Sequence, residues 1–156
     1  MATKYIKTKG KAFWAKVFEE NRDLEGYEGN YREVDGMYTI NVAVEKDEID
    51  KLKAAGTAKK PSLKDDGTLQ YKFTRPHNGK FEWASGAPVV TKHDGTEWDF
   101  EKDGHIPNGS LVECENEVYT TSKQNGTRLK SVKVLAIADE NGDVSESDSK
   151  GVLIDW

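Results

Sequence analysis

With one cysteine, Cys114, in 156 residues, the chain has no intrachain disulfide, so its fold must rest on core packing and hydrogen bonds. Long apolar runs are missing too. Nothing approaches the roughly 20 residues that span a bilayer, and mean hydropathy is -0.80. The N-terminal segment MATKYIKTKGKAFWAKVF is basic but lacks the apolar stretch of a secretory signal. These absences point to a polar protein in a reducing, cytosolic setting with no membrane partner.

The patterns of catalysis are also lacking. There is no Gly-rich phosphate loop, nucleophile elbow or HExxH. The carboxylate pairs Glu19-Glu20 and Asp65-Asp66 have no companion His or Lys. His77, His93, His105 and Cys114 lack zinc spacing. Asp139-Glu140-Asn141-Gly142-Asp143 opens like a calcium loop, but Val144 stands where that loop needs Gly and no Glu closes it. The expectation is a non-enzyme without cofactor or metal.

Charge of one sign is missing from particular stretches. Residues 1–18 carry Lys4, Lys7, Lys9, Lys11 and Lys16 and no acid; residues 118–138 carry Lys123, Arg128, Lys130 and Lys133 and no acid. Of 28 acids and 23 bases, residues 139–156 hold six acids and one base, leaving 22 of each in 1–138. The formal net charge of -5 therefore lies entirely in the tail, and the body can still attract an anion. If the first and last body strands are neighbours, their bases form one positive stripe.

The pattern along the chain is that of many short strands. Residues 4–18 read as a strand with Gly10 as a bulge or bend. Residues 37–44 alternate, with Tyr38, Ile40, Val42 and Val44 on one side. Residues 47–55 form the one clear helix, capped by Asp47 and stopped at Gly56. A polar loop covers 57–67. Further strands are expected over 69–75, 80–84, 87–92 and, briefly, 97–100; 111–121 and 128–138 form a hairpin around Asn125-Gly126. Asn108-Gly109-Ser110 and Asn125-Gly126-Thr127 read as turns. With no βαβ rhythm, the expectation is an all-β, OB-fold-like five-stranded barrel with one short helix over 1–138. A flexible acidic tail follows over 139–156.

Aromatic residues lie among the bases: Trp14 between Lys11 and Lys16, Tyr71 beside Lys72 and ahead of Arg75, Trp83 after Lys80, Tyr119 before Lys123. Single-stranded nucleic acid asks for this mixture, because bases stack on aromatic faces and cations meet phosphates. The competing expectation is that the rings are core and the lysines a solvated surface, giving a non-catalytic β-barrel interaction module without nucleic-acid binding. The tail ends in Gly151-Val152-Leu153-Ile154-Asp155-Trp156. An apolar cluster closed by an aromatic suits a short recognition peptide, with Asp148, Leu153, Ile154, Asp155 and Trp156 meeting a partner.

Four stretches then carry a resemblance. Gly36-Met37-Tyr38-Thr39-Ile40-Asn41-Val42, Asp66-Gly67-Thr68-Leu69-Gln70-Tyr71-Lys72-Phe73, Pro107-Asn108-Gly109-Ser110-Leu111-Val112 with residues 126–135, and the aromatic-ended acidic tail occur in this order. Together they resemble the single-stranded DNA-binding proteins of T-seven-like short-tailed bacteriophages. The resemblance implies an OB-fold that coats single-stranded DNA without sequence preference during DNA replication and recombination, in the cytoplasm of an infected bacterium. It further implies a tail that contacts the replicative DNA polymerase and helicase-primase, and a homodimer in which that tail covers the DNA cleft. Lys72 matches a basic position of the family. Asp35 stands where the family has a base, with Arg32 three residues earlier, and Trp156 replaces the usual terminal Phe. The candidate DNA-binding residues are Lys4, Lys7, Lys9, Lys11, Trp14, Lys16, Arg32, Tyr71, Lys72, Arg75, Trp83, Tyr119, Lys123, Arg128 and Lys130.

Overall fold

The computed structural model describes residues 3–24, 35–65, 67–78, 85–120 and 125–139. The strands are β1 (Thr3–Lys16), β2 (Met37–Ala43), β3 (Ser62–Leu63), β4 (Leu69–Pro76), β5 (Val89–Lys92), β6 (Leu111–Tyr119) and β7 (Gly126–Ala136). All seven join one sheet in the order β3-β4-β2-β1-β6-β7-β5. The fold is thus mostly β and OB-like, with seven strands among the described residues. The sheet is not closed by strand pairing: β4 and β7 are not hydrogen-bonded neighbours. β3 lies inside the loop expected to be irregular, while β5 falls within the strand expected over 87–92 and pairs with β7 in parallel.

Alternation drives the core. On β2, Tyr38, Ile40 and Val42 are fully buried, as their spacing predicts; Tyr71 and Phe73 of β4, Val112 and Cys114 of β6 and Leu129 and Val132 of β7 join them. Burial in this apolar interior pushes the Cys114 thiol pKa up, so the thiol stays protonated and inert at neutral pH.

β1 serves both halves of the sheet. Its first part, Thr3 to Lys11, pairs with β6; from Lys11 onward it pairs with β2. Gly10 lies at this hand-over, where a Cβ would collide with the Ala43 carbonyl and the Val42 side chain. The irregularity itself sits further on, between Phe13 and Lys16, not at Gly10.

The first helix, α1 (Lys46–Ala54), starts one residue ahead of Asp47 with Glu45 in the N-cap place, and Asp47 falls in its first turn. Ile49 and Leu52 are its buried residues, and Gly56 follows at φ +93, the left-handed conformation that ends helices. Residues 97–100 are not a strand: Glu97 makes one bridge to Thr91, and α2 (Phe100–Asp103) follows. Asp99 explains the difference, since its carboxylate accepts the Glu101 N–H at 3.0 Å and nucleates that turn. The strand expected over 80–84 lies outside the described residues.

Candidate nucleic-acid interface

The register sorts the bases into two groups with different surroundings. On the first half of β1, Lys7 and Lys9 stand opposite Glu115 and Glu113 of β6. Across β6, Glu113 faces Lys133 and Glu117 faces Arg128. Glu117 bonds Arg128 in a largely buried pair, and Glu115 holds the Lys130 ammonium at 3.5 Å. The expected positive stripe is therefore absent from this half. β6 separates the first and last body strands and runs a ladder of three glutamates between their bases.

The aromatic rings here are engaged with cations. The Arg128 guanidinium lies 4.6 Å from the centre of the Tyr119 ring, and the Lys130 ammonium 4.6 Å from that of Tyr5. Tyr5, more than half exposed, is an aromatic that was not among the expected site residues. Lys4 is exposed near the start of β1.

Beyond Gly10 the surroundings change. Phe13 pairs with Asn41, which pairs with Lys72; Lys16 pairs with Thr39, which pairs with Thr74. Paired residues in an antiparallel sheet share a face, and the neighbours Ala12, Ile40, Tyr71 and Phe73 point inward. The opposite row thus carries Lys11, Phe13 and Lys16 on β1, Asn41 and a buried Thr39 on β2, and Lys72 and Thr74 on β4. No acid stands on the outward side of these three strands.

Trp14 is added to this row by the bulge. β1 has two residues between Phe13 and Lys16 where β2 has one. Ala15 takes the inward place, and Trp14 swings out, 66% exposed. Its φ is +53, a left-handed conformation that costs a bulky residue about 1–3 kcal/mol. The indole thus stands in solvent beside Lys11 and Lys16 instead of joining the core.

Lys59 joins the same neighbourhood. Burial, and then the charge of Lys72, pull its pKa down. A half-buried ammonium beside a second one is a place where an anion relieves repulsion. Lys59 lies in a loop without periodicity, so the sequence gives no sign of it. Phe13 was legible: in KTKGKAFWAK it shares the alternation of Lys7, Lys9 and Lys11.

Two candidates have other roles. Tyr71 is fully buried, its ring stacked 5.7 Å from that of Phe73, so it offers no face to a base. Arg75 shares the inward parity of Tyr71. Its Nε donates to the Gly86 carbonyl at 2.9 Å, and its Nη atoms donate to Leu129 at 3.3 Å and Ser85 at 3.1 Å. It bridges β4 to β7 across the unpaired seam. Burial, and then the Arg128 charge, lower its pKa. At the Asp35 position, Arg22 donates to the Asp35 carbonyl at 2.8 Å and reaches its carboxylate at 3.4 Å. Arg32, Trp83, Lys123, Asp148, Leu153, Ile154, Asp155 and Trp156 lie outside the described residues.

No family model matches the chain, and no curated protein matches it. Solved structures do share its fold. A C-terminal truncation of the single-stranded DNA-binding protein from bacteriophage Enc34 superposes with a TM-score of 0.58 at 14% identity, covering 87% of each chain. The Enc34 protein in complex with single-stranded DNA gives 0.57 at 16% identity, covering 87% of this chain and 88% of that one. A further structure of the Enc34 protein gives 0.55 at 16%, covering 94% and 89%. At these identities the likeness is one of fold.

Proposed function

We propose that this protein binds single-stranded DNA without sequence preference, along the outward face of β1, β2 and β4. The observation that carries the reading is the acid-free row of Lys11, Phe13, Trp14, Lys16, Asn41 and Lys72. It offers aromatic faces to bases and ammonium groups to phosphates, and none of its own residues is a carboxylate. A solved phage protein of the same fold in complex with single-stranded DNA supports the assignment. Base edges need not be read, because stacking and phosphate contacts are common to all sequences. The five long strands, with Arg75 at the seam, serve as the OB barrel beneath this face.

The narrower reading follows the motifs of the T-seven-like phage family. The protein acts in DNA replication and recombination in the cytoplasm of the infected bacterium, as a homodimer. Its tail contacts the replicative DNA polymerase and helicase-primase through Leu153, Ile154 and Trp156. The ordered sequence motifs and the aromatic-ended acidic tail support this reading.

Titration with a labelled oligonucleotide at two salt concentrations, with duplex as control, tests the central claim. Tryptophan emission falls on binding, and log affinity declines with log salt by about 0.7 per phosphate neutralised. Emission that ignores the oligonucleotide at low salt, or equal binding of duplex, overturns it.

A further inference from the structure

The outward turn of Trp14 is held from another part of the chain. Trp14 has no partner residue on β2, and its N–H donates to the Oδ1 of Asn108 at 2.8 Å, 94 residues away, on the same side of β1 as the Ala12 bonds to the 109–110 turn. Asn108 is itself fixed. The turn that contains it is stitched to β1 by Gly109 N–H to the Ala12 carbonyl at 2.7 Å and Ala12 N–H to the Ser110 carbonyl at 2.8 Å. The Ser110 N–H closes the turn on Pro107 at 3.1 Å. The acceptor thus stands at a set place beside the bulge, two residues along from a doubly anchored alanine.

We propose that Asn108 is the positioning residue of the Trp14 platform. Its side-chain carbonyl stabilises the left-handed backbone at Trp14 and so keeps the indole facing the bound strand. Without that acceptor, residue 14 relaxes toward extended backbone, the two-against-one register loses its support, and the ring no longer keeps its aim. Asn108 is a turn residue whose own side chain is spent on the Trp14 backbone, so its effect on binding passes through Trp14. The inference rests on the single-strand-binding reading above.

A double-mutant cycle separates this from a direct contact or a general structural effect. Affinity for fluorescein-labelled oligo(dT) is measured for the full chain and for Asn108→Ala, Trp14→Ala and the double variant, each confirmed folded by thermal melting. Amide exchange at residue 14 is followed without DNA for the wild type, Asn108→Ala and Asn108→Asp, the last of which keeps an acceptor. The single variants each lose about tenfold in affinity, the scale of one lost stack. The double variant is no weaker than Trp14→Ala. The Trp14 amide exchanges faster in Asn108→Ala and stays protected in Asn108→Asp. Wild-type affinity in Asn108→Ala, or losses that simply multiply in the double variant, overturn the proposal. A wild type that binds no oligonucleotide overturns the functional reading instead, while the exchange rates still decide whether Asn108 holds the bulge.

Discussion

Lys72 and Arg75 sit three residues apart on β4, yet strand parity sends one ammonium into solvent and turns the other cation inward. The guanidinium of Arg75 satisfies carbonyls of Ser85, Gly86 and Leu129. Arg75→Ala leaves those carbonyls without a charged donor at the seam, an expected loss of about 2–4 kcal/mol in stability. Lys72→Ala is expected to change stability by less than about 0.5 kcal/mol and to weaken oligonucleotide binding several-fold at low salt. Denaturant unfolding and titration of the two variants check this split; equal stability losses would remove Arg75 from its bridging role. Much of the residue scale was legible from the alternation of Tyr38, Ile40 and Val42. The same rule, applied to Tyr71-Lys72-Phe73, puts the rings and the lysine on opposite sides. What it could not supply was the Trp14 bulge, because an extra residue in one strand is defined only by the partner it is paired against.

Among the elements, β6 decides which bases face glutamates across the sheet. Glu113, Glu115 and Glu117 fall on one face by period two, and the register carries that face between β1 and β7. Cross-strand pairs of opposite charge stabilise the sheet modestly while cancelling the field that would draw in a polyanion. Glu113→Gln with Glu115→Gln relieves Lys7, Lys9, Lys130 and Lys133 of those opposing charges and leaves the buried Glu117–Arg128 pair intact. Affinity for single-stranded DNA is expected to rise several-fold at low salt, with the gain shrinking as salt is added. Unchanged low-salt affinity would mean the DNA never comes within a Debye length of this half. Strands β2 and β4 and the β6–β7 hairpin were legible because each carries its own alternation. The parallel β5–β7 pairing was not, since four residues hold too little pattern to specify a partner 42 positions away in register, Val89 with Ser131. The helical turn at Phe100–Asp103 was hidden for a related reason: the Asp99 cap outweighs a short run of strand-like residues.

For the whole molecule, the balance of charge is set by the two ends of the sequence together. The body is neutral by count, yet its charge is sorted, with glutamates and bases cancelled on one half and an acid-free row on the other. Residues 139–156 carry a net -5 tied to that body by the chain itself. A tethered polyanion acts at an effective concentration of about millimolar, so weak attraction to Lys11, Lys16, Lys59 and Lys72 is enough to compete with DNA for the same face. A chain ending at residue 138 is therefore expected to bind oligonucleotide more tightly than the full protein in low salt. The two should converge in high salt, because ions screen tail and DNA alike. The comparison needs one labelled oligonucleotide and two salt concentrations. If the shortened and full chains bind equally at low salt, the tail does not visit this face, and its apolar end is left to partner proteins alone. If they differ by the same factor at every salt concentration, the contact is apolar, made through Leu153, Ile154 and Trp156, and the charge sorting of the body plays no part in it.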